Sequence, residues 1–139
     1  MNYALKDSIA YRLIRSSNNV VNSLNKILST YNIAIEQRAT LEIIKYEPNV
    51  NQTKIAQLLG KDKTTISRSL NSLEKKEFIT RESDTQNDKR SNKIKLTKKG
   101  EKILEETLHD VTSFREGLNS KIDEEELEVF FEILNKLEL

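Results

Sequence analysis

The sequence has no cysteine, one histidine, one proline and three glycines in 139 residues. Each scarcity excludes something. Without cysteine there is no disulfide staple, no thiol redox sensor and no Cys-type zinc site, although the compartment itself stays open. The one histidine, His109, follows Glu105 by four residues, a metal-ligand spacing; two ligands do not make a site, and a surface histidine beside acids is the simpler reading. Three glycines cannot assemble a phosphate-cradling loop, and no serine, histidine and carboxylate suggest a nucleophile with its base. An enzyme is therefore not expected, nor a metal or any cofactor. No apolar run approaches the roughly 20 residues that span a bilayer, and the N-terminus lacks the basic-then-apolar order of a secretion signal. A cytoplasmic location is the expectation. With 36% hydrophobic and 32% charged residues and so little glycine and proline, the chain fits a helix-rich soluble protein. Its length suits one compact domain, or one small domain with an extra helical layer.

What the chain has in quantity is charge, and it is segregated. Residues 52–99 hold thirteen Lys and Arg against six Asp and Glu, a local net of +7. Residues 1–51 carry +2, and residues 100–139 hold four basic against twelve acidic side chains, or −8. The overall +1 conceals this polarity. A basic middle is an electrostatic footprint for a polyanion, because Lys and Arg displace counterions from phosphates. The alternative is a solvated, charge-rich surface without a partner.

The pattern within residues 51–97 favours the first reading. Asn51 is placed to cap a helix carrying Ile55, Leu58 and Leu59 on its buried side, with Val50 and Ile55 positioned as a hydrophobic staple. A tight turn at Gly60 leads to Asp62, which can cap the next helix through the N–H groups of Thr64 or Thr65. In that helix Ile66, Leu70 and Leu73 recur at i, i+4 and i+7 and share one face, while Thr64, Arg68, Asn71 and Lys75 fall on the opposite one. This is a helix-turn-helix. Residues 78–83 and 93–96 then read as two short strands around a polar loop, residues 84–92, a candidate wing.

Helical spacing also marks the flanks. Residues 4–31 carry Leu5, Ile9, Leu13, Val20, Leu24, Ile27 and Tyr31, with a second row at Ile14, Val21 and Leu28. So wide a stripe suits packing against a second subunit, the alternative being that it docks only on its own chain. Residues 36–46 form a further helix ended by Pro48. Thr97 can cap a long helix with Ile103, Leu104, Thr107, Leu108, Val111, Phe114 and Leu118, a pattern weakened at Gly117, Asn119 and Ser120. Asp123 with Glu126 opens a last helix bearing Leu127, Phe130, Phe131, Leu134 and Leu137.

The order of these elements resembles the MarR family of winged-helix transcription regulators. Ile55-Ala56-x-x-Leu59, then Asp62-Lys63-Thr64-Thr65-Ile66-Ser67-Arg68 and Leu73-Glu74-Lys75-Lys76, is similar to that family's recognition-helix signature. Asp88-x-Arg90, followed after five residues by Leu96-Thr97, is similar to its wing signature. Family members usually carry glycine at the position of Glu77; a left-handed cap kept there would cost a glutamate about 1 kcal/mol, unless the helix ends differently. The resemblance implies a mostly α fold: a winged helix-turn-helix with a two-stranded β-wing, plus N- and C-terminal helices forming a dimerisation layer. It places the DNA-binding region at residues 36–99 and the dimerisation region at 1–31 and 101–139. It also implies a homodimer on a pseudo-palindromic operator, acting as a repressor, with a small-molecule effector between the two layers.

Chemistry then assigns roles. Arg68 is the best-placed base reader, since a guanidinium can bond bidentately to guanine O6 and N7. Thr64, Thr65 and Ser67 are short enough for close docking, and Asn71 shares their exposed side. Gln52, Lys54, Lys63 and Lys75 suit phosphates. In the wing, Arg90 suits a narrow minor groove, Lys89 adds phosphate attraction, and Asp88 supports the wing by fixing Arg90 or forms an ordinary Asx-turn. Dimerisation falls to Ile9, Leu13, Leu24, Phe130, Phe131, Leu134 and Leu137. The competing function is a winged-helix adaptor that binds protein without specific DNA binding, but the outward face has none of the apolar anchors a protein hot spot needs. A regulator locked in one state, with no effector, is a third reading.

Overall fold

A computed structural model describes residues 4–83 and 92–138. Among these residues the order is α1 (Ile9–Leu28), α2 (Ile35–Tyr46), α3 (Gln52–Leu59), α4 (Lys63–Lys75), β1 (Ile79–Ser83), β2 (Asn92–Leu96), α5 (Lys98–Asn119) and α6 (Glu124–Lys136). The strands pair antiparallel, from Ile79 opposite Leu96 to Ser83 opposite Asn92. This is a helix-rich winged helix-turn-helix, as expected. The wing loop anticipated between the strands lies outside the described residues.

The continuous helix expected over residues 4–31 is interrupted. A 3-10 turn, Ala4–Asp7, precedes Ser8, whose backbone is extended and whose hydroxyl accepts the Tyr11 N–H at 3.2 Å. A serine in that conformation starts a helix, so α1 begins anew at Ile9. It ends in a second 3-10 turn, Ser29–Tyr31, closed by Asn32 at φ 55°.

Two compact units are present, Met1–Thr107 and Leu108–Leu139, and α5 runs across their boundary. In the first, Leu28, Leu41, Ile55, Ile66, Leu70, Leu73 and Ile79 are buried almost completely. Each such side chain contributes about 1.5–3 kcal/mol relative to its exposed state. The buried side of α3 differs from expectation: Ile55 and Ala56 are inside, Leu59 is half-buried, and Leu58 is 45% exposed. At about 100° per residue, positions 55, 56 and 59 share an arc while position 58 swings to the other side of Ile55.

An unanticipated core member is Arg38 on α2, only 1% exposed. Its Nε donates to Thr107 Oγ1 at 2.7 Å, its Nη2 donates to the Leu104 carbonyl at 3.3 Å, and the Glu42 carboxylate lies 3.6 Å from Nη1. A guanidinium is tolerated out of water only with such partners. Those bonds tie α2 to the first half of α5.

The junction between α4 and the wing settles the question raised by Glu77. Its φ is 64°, so the left-handed cap is kept with a glutamate in it. The Phe78 N–H bonds to the Leu73 carbonyl and the Glu77 N–H to the Glu74 carbonyl, each at 3.0 Å, the paired bonds of a Schellman cap. Thr97 holds the far side: its hydroxyl donates to the Glu77 carbonyl at 2.6 Å and accepts the Gly100 N–H at 3.0 Å, capping α5 as anticipated. Gly100 has no alternative, because a Cβ there would run into the Phe78 carbonyl. The start of α5 is thereby pressed onto the end of α4.

In the second unit, Asp123 and Glu126 form the expected reciprocal cap, with bonds of 2.8 and 3.1 Å. Gly117 does not interrupt α5, which continues to Asn119. No side chain of α6 is buried: Phe130 and Phe131 are 47% and 53% exposed, and Leu134 and Leu137 are half-buried. On α1, likewise, Ile9 and Leu13 are exposed, Leu24 is half-buried and only Leu28 is buried. No described helix is long and apolar enough to cross a membrane.

Candidate nucleic-acid interface

The candidate surface is built by two caps and a turn. Asn51 accepts the Lys54 N–H at 2.9 Å and starts α3; Gly60, at φ 63°, ends it. Glycine adopts that left-handed conformation without steric cost, which allows a reversal within three residues. Asp62 then accepts the Thr65 N–H at 2.7 Å and starts α4. The carboxyl is held below its ordinary value of 3.8, first by that N–H, then by the Thr65 hydroxyl; desolvation opposes them, and Thr64 and the Arg68 charge add lesser contributions. Asp62 is thus ionised at neutral pH and favours the positive end of the helix dipole.

On α4, Ile66, Leu70 and Leu73 face the core, and this fixes what faces out. Thr64, Arg68, Asn71 and Lys75 are all exposed, as are Lys54 and Lys63. The structure therefore brings one base-reading candidate, Arg68, onto the same polar face as three shorter or basic neighbours. Thr65 and Ser67 lie half-buried at the edges of that face. Thr65 gives its backbone N–H to Asp62 and so serves the cap. Gln52 is half-buried, and its Nε2 donates to the Lys63 carbonyl at 3.0 Å, so it clasps the start of α3 to the start of α4. Asp88, Lys89 and Arg90 fall outside the described residues.

One participant escaped the sequence reading. Arg81 on β1 reaches α4: its Nε donates to Glu74 Oε2 at 2.9 Å and its Nη2 donates to Asn71 Oδ1. The Glu74 carboxyl is lowered from its ordinary 4.5, chiefly by this hydrogen bond. A signal was available. Ile79 and Arg81 share a strand face at period two, and Ile79 is buried, so a charged residue at 81 needed a partner from the packed helix.

Comparison with known proteins agrees with this geometry. The MarR family model matches residues 33–91. An uncharacterized HTH-type transcriptional regulator of Bacillus cereus is 30% identical over 128 residues, covering 91% of this chain and 84% of the relative. Among solved structures, Staphylococcus aureus MepR in its DNA complex superposes with a TM-score of 0.84 at 29% identity, over 94% of this chain and 96% of that one. CouR of Rhodococcus jostii RHA1, bound to p-coumaroyl-CoA, has the same fold, with a TM-score of 0.81 at 22% identity over 98% and 95% of the two chains. The family match and these relatives define a DNA-binding winged-helix transcription regulator rather than an enzyme. The chain belongs to the MarR family.

Proposed function

We propose that the protein is a homodimeric, sequence-specific repressor that reads double-stranded DNA with α4 in the major groove. The observation that carries this reading is the division of α4 into a buried Ile66, Leu70, Leu73 side and an exposed Thr64, Arg68, Asn71, Lys75 side. An Arg on such a face can discriminate guanine by about 1–3 kcal/mol, while Lys54, Lys63 and Lys75 position the helix on phosphates. The MepR complex with DNA supports the partner assignment.

In this reading residues 36–99 bind DNA, and residues 1–31 and 101–139 hold two copies together. The exposed apolar side chains of α1 and, separately, of α6 support a partner subunit, since faces of that kind are otherwise left in water. Two copies would set their recognition helices one DNA turn apart, roughly 34–36 Å, on a pseudo-palindromic operator. Lys89 and Arg90 would follow the adjoining minor groove, with Asp88 supporting the wing. The site of action would be the cytoplasm. A small-molecule effector belongs to the same reading: an open cleft of about 350 Å³, lined by Tyr31, Phe78 and Ile103 together with Asn32, Glu106 and the lysines at 76, 99 and 102, is within the size range of ligand sites.

Selection of bound duplexes from a random library at physiological salt tests the reading. A two-fold-symmetric consensus is expected. Binding that prefers no duplex over heparin would refute it and favour a protein-binding adaptor.

A further inference from the structure

Among the described residues, Asn71 is the one exposed side chain of α4's polar face that another element holds by its reading end. A free carboxamide can present its oxygen and its NH2 together, the pair that bonds adenine at N6 and N7. Here the Arg81 guanidinium lies against one end of it. Because arginine has five N–H donors and no acceptor, the Asn71 atom it faces can only be Oδ1. The amide orientation is therefore dictated by chemistry, and the NH2 is left as the outward edge. Arg81 is itself clamped: Glu74 takes its Nε at 2.9 Å and its Nη2 at 3.5 Å, and the guanidinium side chain is only 19% exposed. Asn71 and Glu74 stand three residues apart on α4, so one arginine from β1 spans both.

We infer that Arg81 is a specificity-positioning residue: by holding Asn71 Oδ1 it turns the Asn71 NH2 toward the DNA, selecting an acceptor edge and withholding the bidentate N6 and N7 contact that would favour adenine at that step. The inference rests on the reading of α4 as the helix that enters the major groove. At Asn71 the accepted partners are guanine O6 and N7, adenine N7 and thymine O4, the acceptors of the major groove, and guanine alone offers two of them. Adenine keeps a single bond, at N7, because the Asn71 oxygen that its N6–H2 would use is engaged by Arg81, and cytosine offers only its N4 donor. Arg81 acts through Asn71 and Glu74, so its effect is confined to one base position per half-site.

The experiment measures wild-type, Arg81→Ala, Glu74→Gln, Asn71→Ala and the Arg81→Ala/Asn71→Ala double variant against every single-base change of the selected operator. Wild-type protein is expected to prefer guanine at the Asn71 step and to reject cytosine. Arg81→Ala should shift that one position toward adenine by about tenfold, leaving the Arg68 position unchanged. Glu74→Gln, which loosens Arg81 from behind without touching the exposed face of Asn71, should shift it the same way by a smaller factor. It also carries the test if Arg81→Ala does not fold. The double variant should show no preference at that step, matching Asn71→Ala. An adenine preference in the wild type, or an equal loss at every position in both Arg81→Ala and Glu74→Gln, would overturn the inference and make Arg81 a brace or a phosphate contact. Wild-type protein with no duplex preference at any position would instead overturn the DNA-reading function itself, a result distinct from failure at the single step.

Discussion

Replacing Glu77 by glycine should stabilise the protein, although it deletes a side chain and adds nothing. Glu77 sits at φ 64°, where Cβ crowds the backbone at a cost of about 1–2 kcal/mol for an L-residue. Glycine removes that cost but enlarges the unfolded ensemble, returning about 0.5–1 kcal/mol. The difference leaves a net gain of about 0.5–1 kcal/mol, or roughly 2–4 °C in Tm for a chain of this size. The side chain is exposed and makes no hydrogen bond among the described residues, so little is lost with it. A negative charge at the C-terminal end of α4 is itself unfavourable, so the charge must be separated from the backbone. Glu77→Gln does this, keeping the strained conformation while removing the charge. Chemical denaturation of the three proteins, at one protomer concentration and one ionic strength, should place Glu77→Gly above Glu77→Gln by about 0.5–1 kcal/mol, with unchanged m-values. Equal stability of the two variants would refute the strain assignment; a glycine variant less stable than wild type would show that the Glu77 side chain does work not visible in its contacts.

Arg68→Ala should relax discrimination at one base position per half-site by about 1–3 kcal/mol, whereas Lys75→Ala should weaken all sequences alike and lower the salt slope by about one; competition titrations at several salt concentrations distinguish them. Phe131→Glu should convert dimer to monomer in light scattering, since it places a charge on an exposed apolar face of α6; an unchanged mass argues against that face. Gly100→Ala gains about 1 kcal/mol of helix propensity but drives a Cβ into the Phe78 carbonyl, an overpacking cost of about 1–3 kcal/mol, so denaturation should show net destabilisation. The lowered carboxyl of Asp62 means that its capping stability is present above the ordinary value of 3.8 and is lost as pH falls through the still lower folded-state value. The stability gap between wild type and Asp62→Ala should accordingly be widest near neutrality and narrow below pH 3.8; a gap that stays constant into strong acid refutes the charge-assisted cap.

What could be read directly from the sequence was local. Asn51, Asp62, Thr97 and Asp123 were recognisable as caps because each satisfies an N–H three residues along, a relation that a linear sequence displays. The inward row Ile66, Leu70, Leu73 followed from helical periodicity, and its polar complement followed from it. Leu58 escaped because an eight-residue helix has too few apolar positions to locate the centre of its buried arc, and Leu was weighted over Ala56. Arg38 escaped for a different reason. Its hydroxyl partner, Thr107, is 69 residues away, and without that partner a charged residue on α2 reads as solvent-facing. Arg81 combines the two cases, since its strand position signalled burial while its partners lay on a different element.

The contacts at the exit of α4 and the Arg38 bonds share one segment, residues 97–107, and this explains why the left-handed conformation is kept at Glu77. Thr97 and Lys99 bond to the carbonyls of Glu77 and Lys76, Gly100 admits the Phe78 carbonyl, and Leu104 and Thr107 receive Arg38. The first turns of α5 thus grip α4 through its last carbonyls and α2 through a buried guanidinium. Each grip depends on where the chain leaves α4, and a right-handed residue at position 77 would redirect Phe78 away from its bond to Leu73. A penalty of about 1–2 kcal/mol is smaller than the loss of that bond together with the Thr97 and Lys99 bonds, at about 0.5–1.5 kcal/mol each. The polar outer face of α4 is encoded within α4, but the direction in which that face points is set from residues 97–107.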